Sequence, residues 1–312
     1  MANKKAIRDA YGETLVKLGK DNKNIVVLDA DVSGSTKSGL FGAAYPERFF
    51  NVGIAEAGMT SMAGGLSTTG KIPFVNTFAA FLMLRAADPI RSNICYASLN
   101  VKLAGAYAGL SDSYDGATHH ALEDISFMRS MPNMTVISVC DAIETEKAVE
   151  AAVAYNGPVY LRLSRAEMPY IFDEDYTFEI GKGVTVADGT DVTIIATGYM
   201  VHKALEAKKI LKADNINARV INIHTIKPID KDLIIKCAEE TGAIVTAEEH
   251  NIHGGLGSAV AEVLVANKPV PQEFIAVQDS FTESGDYEQL LDKYGLQARH
   301  IVEKVKKVMG RK

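Results

Sequence analysis

Short runs rich in Val and Ile alternate with longer helical stretches along most of this chain, and that rhythm limits its fold more than any other feature. "NIVVLDA" (24–30), "KIPFVNT" (71–77), "NVKLAGA" (100–106), "MTVISVC" (134–140) and "PVYLRLS" (158–164) read as strands separated by amphipathic or small-residue helices. Such alternation predicts a parallel sheet covered by helices. A polar, aromatic stretch over 167–191 breaks the rhythm, which resumes with "VTIIATG", "NARVINI" and "AIVTAEE". At 312 residues the chain exceeds the roughly 100–200 of a usual domain. The expectation is an α/β protein of two doubly wound, mostly parallel-sheet domains: residues 1–166, a linker over 167–190, and a smaller domain over 191–312.

Charge and hydropathy remove several functions. A net charge of −6 with scattered Lys and Arg leaves no basic surface for nucleic acid. The most apolar stretch, 72–84, stops at Arg85, well short of the roughly 20 residues of a membrane helix. No apolar run follows the lysines of "MANKKAIRDAYGE", so no signal peptide is expected. Cys95, Cys140 and Cys237 are odd in number and form no CxxC pair, which fits a reducing cytoplasm.

Open α/β sheets bind ligands at the carboxyl ends of their strands. Four segments lie there: "DADVSGSTKS", "GIAEAG", "NTFAAF" and "AYAGLSDSYDGATHHALED". Within the second, Glu56 stands at the head of a helix of Ala, Gly, Ser and Met. A carboxylate there gains a few tenths of a kcal/mol from the helix dipole, which would be reason enough for an isolated acid. Its company points further. Ala57, Gly58, Ala63, Gly64 and Gly65 allow close approach by a backbone or a flat ligand, and Phe78 and Phe81 sit three apart on one helical face. An acid, an aromatic pair and room for a planar ring make a heterocycle site. Asp112, Asp115, His119, His120 and Glu123 could be metal ligands, but no HxH or HxxxH spacing fixes a geometry, and no metal site is assigned. "HNIHGGLGSAV" (250–260) departs from G-x-G-x-x-G and reads as a tight strand–helix turn.

"RFFNVGIAEAG" resembles the strand–Glu–helix signature of the pyrimidine-binding domain of thiamine-diphosphate enzymes, and "DGATHH" with "RLSRAEMP" resembles the transketolase branch in particular. "TGAIVTAEEHNIHGGLGSAVAEVL" (241–264) is similar to the C-terminal domain of that family. A complete transketolase also carries a GDG…N metal motif, whose nearest counterpart here is "ADGTD" (187–191). The resemblance therefore implies the C-terminal subunit of a split transketolase, transferring a two-carbon ketol unit from a ketose to an aldose. Thiamine diphosphate is the implied cofactor, with Mg2+ or Ca2+ held mainly by an N-terminal partner subunit in an α2β2 assembly. Glu56 matches the catalytic glutamate that hydrogen-bonds N1′ of the aminopyrimidine, and Phe78 and Phe81 match aromatic positions packed on that ring. Asp115 matches an aspartate that binds a donor hydroxyl, and His119 a catalytic histidine facing the bond cleaved. Arg8, Ser35 and Arg165 match positions that hold a terminal phosphate.

The departures lie at the substrate end. Where transketolases commonly show "HAGLSVGEDG", this chain has "YAGLSDSYDG". Tyr107 replaces a phosphate-contacting histidine, Asp112 and Tyr114 alter the loop, and Ala57 follows the glutamate. A specialised paralogue acting on apulose phosphate or a sulfonated ketose is the first alternative. The β-chain of a 2-oxoacid dehydrogenase and a cofactor-free assembly subunit are the others.

Overall fold

Most of the Val/Ile-rich runs become strands whose side chains are buried on both faces, which is why they read as continuous apolar runs rather than alternating ones. The computed structural model describes residues 4–312. In chain order its strands are β1 (Lys4–Ala6), β2 (Ile25–Asp29), β3 (Phe49–Asn51), β4 (Ile72–Phe78), β5 (Lys102–Ala106), β6 (Thr135–Ser138) and β7 (Val159–Leu163). There follow β8 (Glu167–Pro169), β9 (Val184–Ala187), β10 (Val192–Ala196), β11 (Ala218–Asn222), β12 (Thr225–Lys227), β13 (Ile244–Asn251) and β14 (Gln272–Val277).

The larger sheet has the order β12-β6-β7-β5-β4-β2-β3, parallel except for β12. Its β2 shows how both faces fill. Ile25 and Val27 join a core with Tyr11 and Leu15 of helix Ile7–Asp21, whereas Val26 and Leu28 join one with Met59 and Ala63 of helix Glu56–Ser67. The smaller sheet, β14-β13-β10-β11-β9, is parallel except for β9. Helix Ala298–Met309 buries Ile301, Val302, Val305 and Val308 against it, at the 3–4 spacing of an amphipathic helix.

Two mostly parallel, helix-covered sheets agree with the expected fold class. Several short elements lie outside the sequence reading. The stretch 167–190 contains β8, which pairs antiparallel with β1, and β9, an edge of the smaller sheet. Three-residue β12 leaves the second half of the chain to edge the first sheet beside β6. Such strands are too short to carry a hydrophobic period. The apolar stretch 72–84 is β4 running straight into helix Ala79–Arg85, and no helix among the described residues is long and apolar enough to cross a membrane.

The two sheets are also joined by a buried polar network. Arg162, on β7, donates to both carboxylate oxygens of Asp124 and to the backbone carbonyl of Glu249, and the Tyr160 hydroxyl donates to Asp124 at 2.6 Å. The Glu249 carboxylate accepts from the Leu110 amide at 2.5 Å and from the Tyr287 hydroxyl at 3.0 Å. A residue of the second sheet thus fixes the start of the loop that follows β5.

Candidate active site

Because β4 passes into helix Ala79–Arg85 without a loop, Phe78 at the strand end and Phe81 in the first helical turn project together, ring centroids 5.5 Å apart. Beside them, β5 ends at Ala106 and Tyr107 adopts a left-handed backbone, φ 60°. That turn lays the Tyr107 ring on Phe78, stacked at 4.5 Å. His119 closes the group, 5.0 Å from Phe81 and 6.0 Å from Phe78. All lie beyond the carboxyl edge of the larger sheet, where its topology opens a crevice.

Glu56 heads its helix and is 4 % exposed. Its protein partner is Arg85, whose Nη1 donates to Oε1 at 2.7 Å while its guanidinium lies 3.8 Å from the Phe81 ring centroid. Arg85 is four residues after Phe81, a spacing that faces two side chains together on a helix. That signal was available in the sequence, but the reading above took Arg85 only as the end of an apolar run. Arg85 is itself half exposed, so it covers both the acid and the aromatic face from the solvent side.

Tyr107 is flanked by two guanidiniums, 5.4 Å (Arg8) and 5.0 Å (Arg165) from its ring centroid. Arg8 also donates to the Tyr107 hydroxyl and, at 3.2 Å, to the backbone carbonyl of Ser35. Ser35 therefore meets this cluster through its main chain. Arg165 donates to Asp112 Oδ1 at 2.7 Å, and its amide donates to the Ser111 hydroxyl at 3.0 Å.

Asp112, Asp115 and His119 are the one trio of potential metal ligands among the described residues, their ligand atoms all within 4.8 Å of one another. Asp112 is fully buried, while Asp115 is exposed. Burial, reinforced by Asp115, pushes the Asp112 carboxyl up to about 6 against the opposing pull of Arg165. The loop that holds them is tied to the second domain: the Gly285 amide donates to the Ser113 carbonyl, and His120 Nδ1 lies 2.6 Å from the Thr282 hydroxyl. Gly116 has φ 78°, and a Cβ there would lie 2.3 Å from Ser284 Oγ, so both backbone and space require glycine.

Contacts link every candidate in one path, from Glu56 through Arg85 to Phe81, Phe78 and His119, then through Tyr107 to Arg8, Ser35 and Arg165, and through Asp112 to Asp115. The tethers from Glu249, Thr282 and Gly285 have no sequence signal, being long-range contacts to a second domain. The turn at 250–260 has another task. Both oxygens of Glu248 cap helix Leu256–Asn267 through the Leu256 and Gly257 amides, and burial pushes that carboxyl up to about 7.

The family models "Transketolase, pyrimidine binding domain" and "Transketolase, C-terminal domain" match residues 3–170 and 181–301. A putative transketolase C-terminal section from Methanocaldococcus jannaschii is 46% identical over 310 residues, covering 97% of each chain. A 6-deoxy-6-sulfo-D-fructose transketolase subunit from Clostridium sp. is 41% identical, covering 98% of this chain and 95% of that one. Among solved structures, a split gene transketolase described as an inactive β4 tetramer superposes with a TM-score of 0.92 at 50% identity, covering 98% of this chain and 99% of that one.

Proposed function

This chain belongs to the transketolase family, and from that membership we propose that it is the C-terminal subunit of a heteromeric transketolase, moving a two-carbon ketol unit from a ketose to an aldose. The observation that carries the reading is Glu56, a buried carboxylate beside an aromatic cluster at the carboxyl edge of the larger sheet. These residues fit the aminopyrimidine half of thiamine diphosphate: Glu56 would hold a ring nitrogen, and the Phe78–Phe81 pair would pack on the ring once Arg85 turned away. When bound, that cofactor supplies the electron sink for C–C cleavage. The protein's own part is positional. Glu56 holds a proton at the pyrimidine edge, His119 and Asp115 face the donor's carbonyl and hydroxyls, and Arg8 and Arg165 stand at its far end.

The diphosphate and its Mg2+ or Ca2+ are assigned to an N-terminal partner subunit, two copies of each chain surrounding two sites. The solved split gene transketolase, an inactive tetramer of one chain type, supports a subunit that needs a second chain. Three buried, unpaired cysteines support a reducing cytoplasm. A specialised donor is the second reading, favoured by Tyr107 and Asp112 where the commoner loop has His and Val.

Ketol-transfer assays with and without the partner test the function. We expect turnover and tight cofactor binding only in the complex. Micromolar, magnesium-dependent binding of thiamine diphosphate by the isolated chain, read by calorimetry, would sink the partner assignment.

A further inference from the structure

Asp112 is the one carboxylate of the candidate site with no exposure at all. Oδ1 holds Arg165, while Oδ2 is buried without a hydrogen-bond partner, in the company of Asp115 and His119. An unpaired carboxylate oxygen is costly to bury, so its retention asks for an explanation. A folding role is a poor one. Arg165 is 41% exposed, so water could solvate its charge without Asp112. A plain apolar side chain would fill the same space at less cost.

The charges around the anion end are decisive. Arg8 is held by two neutral oxygens, the Tyr107 hydroxyl and the Ser35 carbonyl, and keeps its full positive charge for a ligand. Arg165 is neutralised by Asp112 at 2.7 Å. One uncompensated guanidinium therefore faces the far end of the donor where two stand in sequence. A dianion brought to this pocket must compete with Asp112 for Arg165, whereas a single negative charge is met by Arg8 alone.

We propose that Asp112, by neutralising Arg165, is a specificity-determining residue that sets this site for a ketose with a singly charged far end, such as a sulfonate, over one carrying a phosphate dianion. The proposal rests on the transketolase reading above and adds the residue that selects between donors. Arg165 Nη1 lies 2.7 Å from Asp112 Oδ1, so the ion pair is the ligand's direct competitor.

The test uses the complete two-subunit complex carrying Asp112→Asn, which keeps the shape, and Asp112→Val, which removes both oxygens. kcat/KM is measured for xylulose 5-phosphate and for 6-deoxy-6-sulfofructose, and inorganic phosphate is titrated onto the chain by 31P line broadening. In both variants the phosphate-to-sulfonate ratio should rise roughly tenfold, the scale of one freed charge-assisted contact, and phosphate should bind tighter. An unchanged ratio in an active complex overturns the proposal. If no complex transfers ketol units from either donor, the transketolase reading falls, and the phosphate titration alone decides whether Asp112 masks Arg165. Phosphate binding unchanged in both variants then overturns it.

Discussion

Glu56 and Tyr107 each have a test in which chemistry separates from folding. Replacing Glu56 with Gln keeps the shape but removes the charge that would hold a proton at the pyrimidine edge. Ketol transfer by the complex should fall by about two orders of magnitude or more. The lost ion pair to half-exposed Arg85 should cost under about 1 kcal/mol, so unfolding and partner binding should barely move. Cofactor C2-proton exchange at the wild-type rate in Glu56→Gln would remove Glu56 from its role. Tyr107 presents a neutral hydroxyl to Arg8 where an imidazole could become cationic. Tyr107→His should therefore raise kcat/KM for xylulose 5-phosphate by roughly tenfold, and less for a sulfonated donor. Equal effects on both donors would make Tyr107 a packing residue.

Among the elements, the glycines of two helices make opposite predictions. At Gly255 a Cβ would sit 2.0 Å from Glu248 Oε2, a buried carboxylate already committed to capping helix Leu256–Asn267. Gly255→Ala should destabilise the chain by about 1–3 kcal/mol, read as a lower urea midpoint. At Gly65, inside helix Glu56–Ser67, a Cβ would meet nothing within 4 Å. Gly65→Ala should stabilise the isolated chain by about 0.5–1 kcal/mol through lower unfolded-state entropy. If that smooth face receives the partner subunit, the same substitution should weaken the complex, and the two measurements on one variant separate helix propensity from docking.

For the whole molecule, the docking of the two domains should be legible in its pH dependence. Burial pushes the Glu248 and Glu249 carboxyls up to about 7 from an ordinary 4.5, so the folded chain keeps protons that the unfolded chain has released. More protons bound in the folded state means stability falls as pH rises through that range. Buried His250 and His224, held down near 4 and 3, work in the opposite sense only below about 6.5, their ordinary value. Glu144, also pushed up to about 7 by burial, adds to this fall, whereas buried Lys102, lowered to about 7, opposes it above that pH. Thermal midpoints should therefore drop between about pH 6.5 and 7.5 by the equivalent of about 1 kcal/mol. Glu249→Gln should flatten that slope, and an unaltered slope would place the titration elsewhere. Arg162→Met leaves Asp124 buried without its partner and should cost about 3–5 kcal/mol, measured by urea unfolding of the isolated chain.

The sequence by itself determined which segments are buried strands and which residues are candidates for the site. Runs such as "NIVVLDA" carry their burial in their composition, and the strand–Glu–helix stretch carries its chemistry in the order of its residues. Helical spacing put Phe78 beside Phe81 in the sequence, but Phe78 proves to be the last residue of β4 and the pair is made by the direct strand–helix junction. Spacing along one helix would have been enough for Phe81 with Arg85. Tertiary structure alone decided the rest. The edge strands β8, β9 and β12 are too short for any period, and they exist because a neighbouring strand presents unpaired backbone. The Asp112–Arg165 and Arg8–Tyr107 contacts join residues 53 and 99 positions apart, and no local pattern encodes a distance between elements. What turned a loop of polar residues into a charge-balanced pocket was the second domain, whose Glu249, Thr282 and Gly285 fix the loop after β5 through contacts formed only once both sheets are folded and docked.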